Sequence, residues 1–302
     1  MSKINAWLHA SRLRTLPLAF SSIITGSVLA YKQFPQNFSI TVLVLSLVTT
    51  LLLQVLSNLA NDYGDSQKGT DNDDRIGPKR AIQAGLLSFT EMKAGIVITT
   101  SLALVSGIWL IIEATKGLNI GIGIFFFLLG IAAIAAAIKY TVGKNAYGYL
   151  GFGDMFVIIF FGWVGVVGSY FLQAKSYAGI ILLPATTIGF LAATVLHLNN
   201  MRDSENDALA GKNTIAVSLG LEKSKLYFYW LILIAFFCWS ILFLRMKYEW
   251  WQFAIAALPF LLFTYSAIKV FRTQEAKDFD SLLKVNAVGT FLLSLLLSAI
   301  LL

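Results

Sequence analysis

Two stretches of the chain carry residue types that could do chemistry. Asn58-Leu-Ala-Asn-Asp-Tyr-Gly-Asp-Ser-Gln-Lys-Gly-Thr-Asp71 and Asn199-Asn-Met-Arg-Asp-Ser-Glu-Asn-Asp207 each end a long apolar run with a burst of amides and carboxylates. Acids at the ends of apolar helices are costly and mark functional sites by default. Their oxygens are hard ligands suited to Mg²⁺, and with 1 Cys and 2 His the chain cannot assemble a zinc cluster. Mg²⁺ takes one or two carboxylates and shares its remaining positions with water and phosphate. The chemistry implied is a divalent ion holding a diphosphate.

Spacing sharpens the candidates. Asn199, Asp203 and Asp207 recur every fourth residue, which on a helix puts all three on one face. The first stretch reads in two frames, Asn58 with Asp62 or Asn61 with Asp65, and the sequence does not choose between them. Gly64 and Gly69 predict a fraying helix that lets Asp65 and Asp71 turn inward. The two stretches start 141 residues apart, about half the chain, which suggests two related helical halves facing each other.

A diphosphate alone would be repelled by these acids. Each like-charge pair costs about 4 kcal/mol at 4 Å and an effective dielectric near 20, so divalent cations are needed to make binding favourable. Lys68, Arg75, Lys79, Arg80, Arg202 and Lys212 crowd the same segments and can grip the outer oxygens of the anion. Metal plus basic residues makes a leaving-group site.

The elements that must position these residues are membrane helices. Of the 302 residues 57% are hydrophobic and 13% charged, where soluble domains carry about a quarter charged. This predicts an all-α polytopic membrane protein forming one domain over 1–302. Apolar runs fall near 17–32, 39–60, 94–113, 118–139, 154–173, 178–200, 225–244, 250–270 and 283–302, nine candidate spans. Tyr248, Trp250 and Trp251 suit an interface. Residues 1–16, with Ile4, Trp7, Leu8 and Leu13 among basic residues, read as an amphipathic surface helix, and Pro17 opens the first span. The basic start is read as retained, since no small-residue cleavage site follows it.

Nine spans with the N-terminus inside place 18 of the 23 Lys and Arg on the cytoplasmic side, an orientation the positive-inside rule supports. They also leave the C-terminus outside. The same arrangement puts 14 of the 16 acids there, with Glu113 and Glu249 on the other side. Topology weighs acids little, so a polar active site opening to the cytoplasm is the better explanation. Residues 61–93 and 201–224 are the long connections on that side, predicted to cap the site. The net charge of +7 reports topology, and no nucleic-acid partner is implied.

Other polar and aromatic residues have blander readings. Glu91, Glu205, Lys223 and Lys225 suit solvated loop pairs. His197 suits a local hydrogen bond, and Cys238 suits packing. Phe125-Phe126-Phe127 and Phe160-Phe161 suit lipid-facing or core positions. A divalent-cation transporter would need polar residues through the bilayer and at the outer mouth, where only Glu113 and Glu249 stand. A nucleotide-alcohol phosphotransferase would resemble a run with Asp-Gly, and no Asp-Gly occurs.

The two stretches, with Arg75-Ile-Gly-Pro after the first and Gly211-Lys-Asn-Thr214 after the second, resemble the paired motifs of the UbiA superfamily of intramembrane aromatic prenyltransferases. Lys68-Gly-Thr-Asp71, Tyr140-Thr-Val-Gly143, Tyr149-Leu-Gly-Phe-Gly-Asp154 and the opening Trp7-Leu-His-Ala-Ser-Arg-Leu-Arg-Thr-Leu-Pro17 resemble its branch acting on 1,4-dihydroxy-2-naphthoate in menaquinone synthesis. The resemblance implies nine helices around a central cavity in the bacterial inner membrane. It also implies Mg²⁺-dependent transfer of a polyprenyl chain from its diphosphate to an aromatic acid, with loss of CO₂; another acceptor, such as 4-hydroxybenzoate, is the alternative. Carried over, Asn61, Asp65, Asp203 and Asp207 match the metal-binding pairs, with Asp71 beside them. The related 4-hydroxybenzoate enzymes carry a further Asp where this chain has Gly69, and Asp71 lies two residues on.

The candidate catalytic residues are therefore Asp62, Asp65, Asp203, Asp207 and Tyr140. The candidate substrate-binding residues are Asn58, Asn61, Lys68, Arg80, Lys139, Lys144, Asn199, Arg202 and Lys212, with Asp154 a candidate to position the acceptor.

Overall fold

The computed structural model describes residues 2–302 except Asp74, and of Arg14 the backbone only; the sequence-based placement of the Asp74 and Arg14 charges lies outside the described residues. The described residues are helical, with no strand. In order, the helices are α1 Lys3–Ser11, α2 Leu16–Gln33, α3 Ile40–Gln67, α4 Phe89–Ala114 and α5 Ile120–Lys139. A composite span follows, made of α6 Gly153–Val157, a π-helical stretch Ile158–Val167 and α7 Gly168–Ala174. Then come α8 Leu182–Arg202, the short α9 Ser204–Leu209, α10 Ile215–Met246, α11 Trp250–Ala257, α12 Phe260–Arg272 and α13 Phe279–Leu301.

Seven of these helical stretches are long and apolar enough to cross a bilayer by themselves. Two bent pairs, α1 with α2 and α11 with α12, raise the number to nine if each is one span. The polarity is that of a protein whose solvent is lipid. Phe125, Trp163, Trp230 and Phe237 point outward, whereas Ser21, Thr187, Thr194 and Asn286 are buried between helices. Trp250 and Trp251 are exposed at the start of α11, as expected of interfacial anchors.

Lipid supplies no hydrophobic force between helices, so close backbone approach must hold them together. A Cβ on Gly162 would come within 2.5 Å of the Ala185 carbonyl oxygen, and one on Gly26 within 2.3 Å of the Val166 oxygen. These contacts seat the π-helical stretch between α8 and α2. Helices α2, α3, α5, α6, α7, α8 and α13 contribute to the wall of a central cavity.

The long connections are shorter than the sequence suggests. Helix α3 runs on to Gln67, and α4 starts behind a Ser88–Glu91 capping box, so the first cap is 68–88. In the second, α9 occupies part of the span and α10 begins at Ile215. Gly64 does not fray α3: it lets the helix approach Thr141, whose Oγ1 would lie 2.5 Å from an added Cβ. Helix α1 lies against α3 and the first cap through Ala6 and Ala10, with Ile4 and Leu8 exposed.

Candidate active site

Helices α3 and α8 bring both acid stretches to one end of the bundle, facing one cavity of about 940 Å³. The lining residues of α3 include Ser46, Thr49, Leu53, Ser57, Asn61 and Asp65, at the three-and-four spacing of one helix face. From Ser46 to Asp65 this face is about 28 Å long at 1.5 Å per residue. Its acid-rich end is polar. Deeper in, Phe126, Phe160, Phe161, Leu110 and Leu172 make the wall apolar.

The chain reverses just after Asp65. Gly69 takes the left-handed conformation (φ 73°), while the Gly69 and Thr70 N–H groups donate to the Ser66 and Asp65 carbonyls at 3.4 and 3.0 Å. That closes α3 as a Schellman turn, a position where glycine avoids a Cβ clash. It also returns Asp71 to the cavity that Asp65 lines. The absence of an Asp at position 69 thus has a backbone reason.

Arg75 then ties the two stretches together. Its Nε lies 3.2 Å from Asp71 Oδ1 and its Nη2 3.3 Å from Asp203 Oδ2, with all three side chains at most 5% exposed. Arg80 Nε sits 3.8 Å from Asp71 Oδ1. Lys212 Nζ is 3.3 Å from Asp207 Oδ1.

Tyr149 links the remaining pieces. Its hydroxyl donates to Asp65 Oδ1 at 2.8 Å and lies 2.5 Å from the Thr70 hydroxyl. Its carbonyl accepts from the Asn213 N–H at 3.1 Å. Asn206 Nδ2 donates to the Thr70 carbonyl at 2.7 Å, closing one cap on the other.

The electrostatics divide the acids. Burial pushes Asp71 up to about 6, reinforced by Asp65 and opposed by Arg80 and Arg75. Burial likewise pushes Asp207 up to about 6 against the pull of Lys212. Asp203 is buried too, yet Arg202, Arg75 and Arg80 hold it below the usual carboxylate range. Burial works against the Lys212 ammonium, but Asp65 and Asp207 hold it charged. Tyr140 lines the cavity, and burial raises its phenol so that it stays protonated.

The donor set fits a hard divalent cation. Asp71 Oδ2 and Asp207 Oδ2 are buried without a hydrogen-bond partner, an expensive state unless something accepts their charge. Among the described residues no three acidic, His or Cys side chains group closely enough to hold an ion alone. The fit is therefore to an ion that completes its shell with phosphate and water.

Asn58, Asn61, Asp65, Asp71, Asp203, Asp207, Asn199, Tyr140, Arg80 and Lys212 all line the cavity. Asn199, Asp203 and Asp207 do so without sharing an unbroken helix, since α8 stops at Arg202 and α9 starts afresh at Ser204. Asp62 turns elsewhere: its Oδ2 accepts from the Ala81 N–H at 3.0 Å, and it borders a separate cleft. Asn58 donates to the Ser11 carbonyl and the Thr15 hydroxyl, holding the α1–α2 corner.

Arg202 is wholly engaged inside the protein. It donates to both oxygens of Asp203, to Asn199 Oδ1 and to Asp280 Oδ1, and it does not line the cavity. Lys139 and Lys144 are exposed and also outside it. Lys68 sits over the Tyr149 ring, 3.7 Å from the centroid. Asp154 lies behind the wall, 3.3 Å from His197 Nδ1, so it cannot touch an acceptor in the cavity.

The sequence reading named Tyr149 only within a family-like run, gave Phe126, Phe160 and Phe161 to lipid-facing or core positions although they line the cavity, and left Arg75 among a crowd of cations. Only one Phe of the first cluster faces inward; Phe125 and Phe127 face lipid. Asp280 and Lys284 on α13 also line the cavity, one helical turn apart. That spacing was the available signal for them.

The sequence pattern of the UbiA prenyltransferase family matches residues 19–296. The 1,4-dihydroxy-2-naphthoate octaprenyltransferase of Haemophilus influenzae is 44% identical over 298 residues, covering 98% of this chain and 95% of that one. The protein of the same name from Escherichia coli K12 is 42% identical, covering 98% and 94%. Among solved structures, an apo UbiA homologue from Aeropyrum pernix K1 superposes with a TM-score of 0.68 at 15% identity, covering 92% of this chain and 97% of its own. A UbiA homologue from Archaeoglobus fulgidus bound to GPP and Mg²⁺ gives 0.55 at 19% identity, covering 95% and 99%. At such identities the structural likeness speaks for the fold, and it is the sequence match, running from α2 almost to the end of α13, by which this chain belongs to the UbiA prenyltransferase family.

Proposed function

We propose that the chain transfers a polyprenyl group from its diphosphate to 1,4-dihydroxy-2-naphthoate, releasing diphosphate and CO₂ and forming a demethylmenaquinol, the reduced form of a demethylmenaquinone. The observation that carries this reading is one cavity with buried, partnerless carboxylate oxygens and cations at its head and an apolar sleeve behind. The names of the relatives that match it end to end supply the acceptor.

Asn61, Asp65, Asp71, Asp203 and Asp207 would hold Mg²⁺, which when bound supplies charge to stabilise the departing diphosphate. Arg75, Arg80 and Lys212, each now paired with an acid, supply donors for the outer phosphate oxygens. The bond between the first prenyl carbon and diphosphate breaks, with its electron pair leaving on oxygen. The allylic cation is captured by the ring carbon that bears the carboxylate. The carbon–carboxylate bond then breaks, CO₂ departs, and the electron pair restores the aromatic ring. The Tyr140 phenol offers a neutral donor where the polar head meets the sleeve. Phe126, Phe160 and Phe161 keep water from the cation.

In this reading residues 1–302 form one catalytic domain, with α1 on the membrane surface and the two caps on the cytoplasmic side of the bacterial inner membrane. The Lys and Arg distribution supports that orientation, with the N-terminus inside and the C-terminus outside.

The test is to incubate purified protein, Mg²⁺ and a polyprenyl diphosphate with a panel of aromatic acids and identify products by mass spectrometry. A prenylated, decarboxylated naphthoquinol is expected. Exclusive prenylation of 4-hydroxybenzoate would replace the acceptor.

A further inference from the structure

A second, smaller cleft of about 260 Å³ opens beside the cavity, between the end of α1 and the first cap. Its walls combine three chemistries. Leu8, Leu13 and Pro78 are apolar; Arg12, Arg80 and the exposed Lys79 are cationic, with His9 beside them; Asp62 is the one acid among the described lining residues. Arg12 Nη2 and Asp62 Oδ1 are buried without a hydrogen-bond partner, and Arg80 Nε, also without one, has only the Asp71 carboxylate 3.8 Å away. Arg12 and Arg80 also line the central cavity, so the two spaces share these side chains as a common wall.

Unpaired buried donors and acceptors are costly, and together they outline the ligand that would satisfy them. Two guanidinium nitrogens call for an anion, most naturally a carboxylate. The partnerless carboxylate oxygen calls for an O–H donor. A diphosphate carries few protons and would be repelled by Asp62, whereas an aromatic ring is at home on the leucines and the proline.

We propose that this cleft is a docking site for a hydroxyaryl carboxylate, the acceptor on its way to the cavity, and in naming the acceptor this rests on the function given above. The carboxylate pairs with Arg12 and Arg80, the ring lies on Leu8, Leu13 and Pro78, and a ring hydroxyl donates to Asp62 Oδ1. Passing the two arginines delivers the acid from the cleft to the cavity while the prenyl tail fills the sleeve. This gives Asp62 a role in acceptor capture and none in ion binding.

Binding of 4-hydroxy-2-naphthoate and 2-naphthoate to the full-length protein in nanodiscs, followed by naphthyl fluorescence and calorimetry, tests this. Asp62→Asn keeps an oxygen for the Ala81 N–H, so the cap stays in place, but it removes the acceptor for the ring hydroxyl. The wild type should bind the hydroxylated acid about tenfold more tightly, equal to ~1.4 kcal/mol. Asp62→Asn should erase that preference while leaving 2-naphthoate unchanged. Leu13→Glu, at an exposed position on the rim, should weaken both acids by about tenfold or more. Unchanged affinities in both variants would overturn the proposal. So would equal displacement of the probe by phosphatidylglycerol, which would make the cleft a lipid-headgroup site. If turnover on dihydroxynaphthoate persists while the variants bind normally, the function stands and the cleft falls. If the variants behave as expected but a different acid is prenylated, the cleft stands and the acceptor changes.

Discussion

Arg75 and Asp203, 128 positions apart in the chain, meet at 3.3 Å and lock the first cap onto the helix that carries the second acid stretch. Through its Nε the same guanidinium holds Asp71 at 3.2 Å. Arg75 neutralises both acids, and in the proposed reaction the same donors would serve the departing anion. One side chain thus holds a carboxylate from each acid stretch close to the other.

Arg75→Ala should therefore cost both assembly and leaving-group stabilisation. Donor kcat/KM is expected to fall on the order of 100-fold, equal to about 2.7 kcal/mol. Arg75→Lys should recover only part of it, because an ammonium cannot span Asp71 and Asp203 as a planar fork does. Steady-state kinetics with varied polyprenyl diphosphate provides the measurement, and rates within threefold of wild type in Arg75→Ala would remove the assignment.

Tyr149→Phe isolates the hub. The ring and its contact with Lys68 remain, while the hydrogen bonds to Asp65 and Thr70 are lost. The expected result is a roughly tenfold lower kcat, about 1.4 kcal/mol, with modest loss of stability. A Tyr149→Phe protein that turned over normally would show that Asp65 needs no phenol to stay aimed.

Much of this site was legible because helix geometry turns spacing into direction. Asn61 with Asp65, and Asn199 with Asp203, are four apart and share a cavity face. Asp62, one residue from Asn61, cannot share that direction, yet sequence alone left both frames open. Its fate was set by the Ala81 N–H, a partner 19 positions away that no local pattern announces. Arg202 was misread for a similar reason: it stands beside Asp203 in sequence, but Asp280 at the start of α13 decides where it points. The apolar runs placed the helices well, since lipid demands long unbroken spans. The caps came out shorter, because α3 carries its polar residues as helix as far as Gln67.

The pH dependence follows from the two raised acids. Asp71 and Asp207 titrate near 6 in the folded protein against a usual 3.8. Between those values the folded state binds more protons than the unfolded one, so ion-free stability falls as pH rises through about 4 to 6. A divalent ion competes with the same protons, so Mg²⁺ affinity should climb from pH 5 to about 7 and then level off. Thermal unfolding and calorimetric Mg²⁺ titrations at pH 5 and 7.5, with a diphosphate present, test both signs. An affinity independent of pH would show that neither acid meets the ion.

Arg202 should behave as a clamp, unlike Arg75, Arg80 and Lys212, which line the cavity. Its side chain is 1% exposed and bonds Asp203, Asn199 and Asp280, so truncation strands buried charge on Asp203. Breaking a buried pair from one side costs about 3–5 kcal/mol. Arg202→Ala should therefore lower the unfolding temperature sharply and abolish turnover through misplacement of α8 against α13. Asp280 is 41% exposed, and water can replace part of what it offers, so Asp280→Asn should be milder. Lys139→Ala and Lys144→Ala, exposed and away from the cavity, should change stability by within about 0.5 kcal/mol and leave rates near wild type. A stable Arg202→Ala protein with a large effect only on diphosphate binding would return that arginine to the substrate.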